Sequence, residues 1–204
     1  MPPRALLLDL LMATMDSIAT WATAAGDRDR GLAWRDAVTA RMIEARRYVP
    51  YEELVATAAT ELGLGARARS LLSEKWPAMR PWPDAAALDR VTVPYAFVTN
   101  CSTKLAAVAV ERSGLRPAFT LAAEEVGWFK PAREVYVLAA EQLGMELRTI
   151  RFVAGAAYDA RGASNAGLST VLIARRRADE TVPNRIRVVD SLTRAVKDVS
   201  RHSG

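Results

Sequence analysis

The chain has 204 residues, half of them apolar, with a net charge of +5, one cysteine and one histidine. That length suits one sizeable domain, or a core domain carrying a smaller insertion, and either can bury a proper core. A single Cys101, and His202 three residues from the end, argue against a disulfide framework, a Ser-His or Cys-His catalytic pair and a zinc site.

The basic residues are scattered, and the densest cluster, Arg175-Arg176-Arg177, is expected in a loop after a strand, so no nucleic-acid partner is expected. No apolar run approaches the roughly 18 residues of a spanning helix. Met1-Pro2-Pro3-Arg4 is followed by a short apolar run before Asp9. The expectation is a soluble, cytoplasmic protein with no membrane partner. Basic positions are overwhelmingly Arg; the lysines are Lys75, Lys104, Lys130 and Lys197. A compact ammonium on a flexible stem does chemistry that a guanidinium does not, so each Lys is worth inspecting.

In chain order, a strand is expected at Ala5 to Leu10, ending in a carboxylate, Asp9, among leucines. The next region, Asp16 to Pro83, has helical patterns throughout: Ile18 to Ala25, Leu32 to Arg47, Tyr51 to Leu62 and Ala66 to Lys75. Pro77, Pro81 and Pro83 punctuate its end. Strands follow at Tyr95 to Thr99, Ile150 to Ala154, Thr170 to Ala174 and Ile186 to Val189. Helices are expected at Ser102 to Ser113 and Pro131 to Leu143, the latter with Pro131 at its first position and Gly144 at its close.

Alternating strands and helices predict an α/β fold: a Rossmann-like parallel sheet flanked by helices, with a helical cap inserted after the first strand. Residues 1–15 and 84–204 would form the core and 16–83 the cap. Open α/β sheets bind ligands at the carboxyl ends of their strands. That edge would receive Asp9, Thr99 and Asn100, Lys130 before a helix, and Asp159 after the strand ending at Ala154. A carboxylate beside an ammonium can stay ionised in a dry pocket and act as a nucleophile, with hydroxyl and amide groups holding the substrate.

The set "LLLD", "FVTN", "WFKPAREVYVLAAEQLG" and "FVAGAAYDARGASNAG" resembles the four motifs of the haloacid dehalogenase superfamily: a nucleophilic Asp, a Thr or Ser, a Lys and an acidic loop. Within it the likeness is nearest to L-2-haloacid dehalogenases. Phosphatase members carry a second Asp two residues after the nucleophile; here that position is Leu11. Trp34-Arg35 matches a cap pair whose Arg binds the leaving halide. Asn100, Lys130-Pro131 and Tyr136 match motifs two and three, and Tyr158-Asp159-Ala160 resembles the Trp-Asp-Ala of motif four.

The resemblance implies a hydrolase for a small 2-halo carboxylic acid. Asp9 would attack the carbon bearing the halogen, Arg35 and Asn100 would stabilise the departing anion, and water would hydrolyse the ester on Asp9. Lys130 would hold the charge of Asp9, and Asp159 would orient Lys130 or the water. Leu11, Thr99, Tyr136 and Tyr158 would line the substrate or leaving-group site. No metal or other cofactor is implied. A homodimer is common in that family, although the residues themselves carry no sign of one.

Departures stand beside the matches. The family's Gly-Thr after the nucleophile is here Met12-Ala13, and its Ser and Asn before the final Asp are Ala154 and Ala156. These losses would remove polar groups that organise Lys130, the carboxylate and the water. A phosphatase of the same fold, and a diverged member with a ligand-binding or non-dehalogenating role, remain the alternatives.

Overall fold

The computed structural model describes residues 2–175 and 182–200. Arg176, Arg177 and His202, singled out above, lie outside the described residues. Five buried residues form β1 (Ala5–Asp9), and Leu10–Thr14 then tighten into a π-helical turn. Four helices follow: α1 (Ser17–Ala25), α2 (Arg28–Ala45), α3 (Tyr51–Glu61) and α4 (Ala66–Lys75). A single turn of 3₁₀ helix at Trp76–Ala78, then a longer 3₁₀ stretch at Pro83–Arg90, return the chain to β2 (Tyr95–Thr99). The remainder alternates: α5 (Thr103–Ser113), β3 (Thr120–Ala122), α6 (Ala123–Val126), α7 (Arg133–Gln142), β4 (Ile150–Ala154), α8 (Ala157–Ala166), β5 (Ser169–Ile173), β6 (Arg187–Val189) and α9 (Leu192–Val196).

The six strands are all parallel, in the order β3-β2-β1-β4-β5-β6. Strand β1 lies between β2 and β4, and the chain builds outward to one side before crossing to the other. This is the reversal of strand order at which α/β sheets open a ligand crevice. Register brings the right residues level there, since Asp9 pairs with Val98 and Leu8 with Val153. Apolar runs without alternation are what a sheet covered on both faces requires. Leu6 and Leu8 belong to one core cluster and Leu7 to the other.

The helices between β1 and β2 pack on one another through a stripe on α2: Gly31, Trp34, Val38 and Met42 are its buried residues, at helical spacing. Trp34 meets Trp21 edge to face at 4.9 Å and donates its indole N–H to the Val55 carbonyl. Gly31 lets α1 and α2 approach closely, because a Cβ there would fall 2.6 Å from the Ala22 nitrogen. The segment leaves and rejoins the sheet at adjacent points, where Met15 bridges Pro81. A second bridge joins Arg47 to Trp128, with the Arg47 guanidinium over the Trp128 ring at 4.4 Å. No helix among the described residues is long and apolar enough to cross a membrane.

Two sequence expectations are corrected. Strand β3 had no counterpart, because three residues cannot display a periodic pattern. Pro131 is not the first residue of α7, which begins at Arg133. The backbone of Lys130 is clamped by the Asn100 amide, through Lys130 N–H to Asn100 Oδ1 at 2.7 Å and Asn100 Nδ2 to the Lys130 carbonyl at 3.1 Å. That clamp ties residue 130 to the end of β2 and delays the helix.

Candidate active site

Asp9 closes β1, and the turn that follows bends its backbone toward the carboxylate. The amides of Met12 and Ala13 donate to Asp9 Oδ2 at 3.0 and 3.3 Å. Gly155 packs directly on this turn, and a Cβ at 155 would fall 2.4 Å from the Ala13 nitrogen. The other oxygen, Oδ1, accepts from Lys130 Nζ at 2.9 Å.

The Lys130 ammonium also donates to Asp159 Oδ2 at 2.6 Å and to the Val98 carbonyl at 3.3 Å. All three of its donors are therefore used. Burial alone would push its pKa down, but Asp159 and then Asp9 outweigh burial and hold it above the ordinary lysine range. Asp159, in the first turn of α8, receives the Tyr136 hydroxyl on Oδ1 at 2.6 Å. Burial pushes the Asp159 carboxyl up to about 6 against the pull of Lys130, with Asp9 adding to the rise. Two carboxylates and one ammonium leave an excess of negative charge in this dry spot, which is the electrostatic reason one acid is held high.

A cavity opens over Asp9 between the sheet edge and the helical segment. Its free volume is about 40 Å³, room for roughly three water molecules at about 10–15 Å³ each. The sheet side contributes Asp9, Leu11, Thr99, Asn100, Lys130 and Tyr158; the helical side contributes Arg35, Val38, Thr39 and Met42 from α2, with Trp21 and Tyr51. Successive helical residues point about 100° apart. Trp34 is therefore buried in the helix packing while Arg35 reaches the cavity, with Asp36 at 3.4 Å as an ion-pair partner.

Asp9, Lys130, Thr99, Asn100, Leu11, Tyr158 and Arg35 are thus gathered around one cavity. Tyr136 and Asp159 stand behind that cavity wall. Tyr136, expected beside the substrate, is fully buried behind Asp159 and bonded to it. Asp159 stands behind Lys130 and does not line the cavity, with Oδ2 on the ammonium and Oδ1 on the Tyr136 hydroxyl. Nor does Asp159 cap α8, whose N-cap is Ala156 with no side-chain bond. Thr99 shares its hydroxyl with the Cys101 sulfur at 3.3 Å, and burial pushes the Cys101 thiol up to about 12, leaving it protonated.

Lys130 and Asp9 both have hydrogen-bond partners with alanine at 154 and 156. Lys130 is fully bonded, the Val98 carbonyl filling its third site. The Asp9 carboxylate is held by backbone amides despite Met12 and Ala13. Val38, Thr39 and Met42 went unnoticed in the sequence, although their spacing of three, four and seven from Arg35 put them on its helix face. Among the described residues, no cluster of three or more His, Cys, Asp or Glu is placed to hold a metal ion.

No family model matches the chain. It is 35% identical over 120 residues to the (S)-2-haloacid dehalogenase of Pseudomonas sp. strain YL, a match covering 56% of this chain and 52% of that protein. The chain thus spans about half the length of that curated relative. In fold it superposes on a dehalogenase solved with an intermediate complex, with a TM-score of 0.84 at 20% identity, over 98% of each chain. It also superposes on the L-2-haloacid dehalogenase of Xanthobacter autotrophicus solved with chloropropionic acid covalently bound, with a TM-score of 0.77 at 20% identity, over 96% and 97% of the two chains. The haloacid dehalogenase resemblance carried by the four motifs is therefore matched on two counts, in sequence by (S)-2-haloacid dehalogenases and in fold by solved dehalogenase structures.

Proposed function

We propose that the chain is a hydrolase of small 2-halo carboxylic acids, working through an ester on Asp9, with residues 16–83 acting as a cap over the site. The observation that carries this reading is a carboxylate at a cavity wall, bonded to a buried ammonium, with a guanidinium across a space of about 40 Å³. An Asp9 oxygen attacks C2 of the substrate as the carbon–halogen bond breaks, and the electron pair leaves with the halide. Arg35 receives the halide's charge from the helical side, and Asn100 lines the opposite wall, its Nδ2 donating to the Lys130 carbonyl and the Tyr158 hydroxyl. Attack from the face opposite the leaving group inverts C2.

Water then adds to the Asp9 ester carbonyl, its oxygen entering the carboxylate. The C2–O bond stays with the product, the ester cleaves to the 2-hydroxy acid, and one proton is released. Lys130 holds the returning negative charge on Asp9. A halide leaving group needs no protonation, which suits Leu11 where a phosphatase would need an acid. The reaction is written without a metal. With Ala154 and Ala156 offering no water-positioning group, hydrolysis of the ester is expected to be the slow step, so that ester accumulates.

A single turnover on 2-chloropropionate in ¹⁸O-water tests this. Label in the Asp9 peptide, with a burst of chloride ahead of hydroxy acid, is the expected result. Absence of both chloride and adduct overturns it. Turnover of an aryl phosphate that requires Mg²⁺ would favour the phosphatase alternative instead.

A further inference from the structure

The turn that cradles Asp9 is held from outside by residues far away in sequence. Trp82 Nε1 donates to the Met12 carbonyl at 3.0 Å, and Trp82 N–H donates to the Thr14 carbonyl at 2.9 Å. The Met12 carbonyl and the Ala13 N–H are the two ends of one planar peptide unit. Fixing the oxygen therefore aims the N–H, and that N–H is one of the two backbone donors to Asp9 Oδ2. A donor at one end of a peptide also polarises it toward donating at the other.

Behind Trp82 stands a second support. The Arg175 guanidinium lies 4.8 Å from the Trp82 ring centre, donates to the Ala13 carbonyl at 2.8 Å, and forms a two-pronged pair with Asp84 at 2.9 and 2.7 Å. Asp84 Oδ2 further accepts the Leu192 N–H at 2.7 Å, so the pair is tied to the start of α9. The Arg175 side chain is only 8% exposed. From within the turn, the Thr14 hydroxyl donates to the Asp9 carbonyl at 3.2 Å and the Ser17 hydroxyl to the Met12 sulfur at 3.5 Å, bonds that leave the Met12–Ala13 peptide to Trp82.

We infer that Trp82, backed by the Arg175–Asp84 pair, is a positioning residue for Asp9, aiming the Met12–Ala13 peptide so that its N–H meets the nucleophile's carboxylate. This rests on Asp9 being the nucleophile.

Trp82→Phe keeps the ring beneath Arg175 and removes the indole donor. The expected result is a loss of about tenfold in kcat for chloride release from 2-chloropropionate, the scale of one hydrogen bond. KM should stay within about twofold. In ¹⁵N-labelled protein the Ala13 amide proton should move upfield as its bond to Asp9 loosens. Should Trp82→Phe not fold, Arg175→Lys provides the test. It keeps the charge but cannot hold Asp84 with two prongs and reach the Ala13 carbonyl together, and a kcat loss with shifted Ala13 and Thr14 amides is expected. Wild-type kcat and an unmoved Ala13 resonance in a folded variant would overturn the inference. The resonance reports the turn and not turnover. A protein that releases no chloride yet shows the Ala13 shift would therefore sink the dehalogenase reading and leave the positioning role standing.

Discussion

On the sheet side of the cavity the protein supplies partners for its own polar groups, whereas the helical side presents one guanidinium in a largely apolar wall that also holds Thr39 and Tyr51. Lys130 uses three donors on Asp9, Asp159 and Val98, and Tyr136 closes the back of Asp159. Across the gap, Arg35 shares its wall with Val38, Met42 and Trp21. The sheet side is already internally bonded, and fixed dipoles and charges act most strongly on a developing charge when they need not reorganise. Such a division follows from the fold: parallel strands in register bring their ends level, while a helix presents one face of residues at helical spacing.

The sharpest way to break the comparison is at Asp9, where the two sides meet. Asp9→Asn keeps the shape and removes the nucleophilic charge, so chloride release should fall by on the order of 10⁴-fold or more, measured with an ion electrode. Residual activity near wild type would mean that the sheet side binds but does not react. Next in size is the helical side alone. Arg35→Met should lower kcat by about 10²- to 10³-fold. Its melting temperature should stay near that of the parent, since no packed element depends on the guanidinium.

A third effect separates the two sides by pH. Asp159 takes up its proton at about 6 in the folded protein, whereas in the unfolded chain it would do so near the ordinary value of about 3.9. Protonation removes the charge that steadies Lys130, so activity should fall about tenfold per pH unit below 6. Over the same interval the folded state holds the extra proton, so this group's contribution to stability rises as pH falls from about 6 toward 4 and is lost as pH rises through 6. A pH–rate profile alongside melting curves checks both signs, and a flat profile down to pH 5 would remove Asp159 from the working site.

The smallest effect lies at Ala156, which begins α8 without a side-chain cap. Ala156→Asn should stabilise the fold by about 1 kcal/mol as an N-cap, read from denaturant unfolding. It should also shorten the lifetime of the ester if a positioned water is what the site lacks. Stabilisation with no change in ester lifetime would mean that the cavity serves a different second step.

How much of this was legible beforehand depended on distance along the chain. The β1 strand and its carboxylate, the α4 bounds at Ala66–Lys75 and the β2 bounds at Tyr95–Thr99 follow from local composition and periodicity, and the structure has them there. The motif spacing brought Asp9, Asn100 and Lys130 into one argument, and the structure brings them to one place. Tyr136 was misplaced because a sequence motif carries no depth: substrate wall and second support read alike until the direction of α7 is known. Arg175 read only as part of a basic cluster after a strand and Trp82 carried no signal, for they stand 162 and 70 residues from the carbonyls they hold.

The sequence by itself determined the layered α/β order, the helical segment after the first strand, and which acids and which lysine are available for chemistry. These depend on near neighbours, through apolar runs, helical spacing and the punctuation of Pro and Gly. Only the tertiary structure decided that the Val98 carbonyl fills the third site of Lys130, that Asp159 meets the ammonium and the Tyr136 hydroxyl, and that an indole and a guanidinium from elsewhere hold the turn whose amides meet Asp9. Each is a hydrogen-bond direction between distant segments, fixed by sheet register and by the path on which the chain returns from its helices.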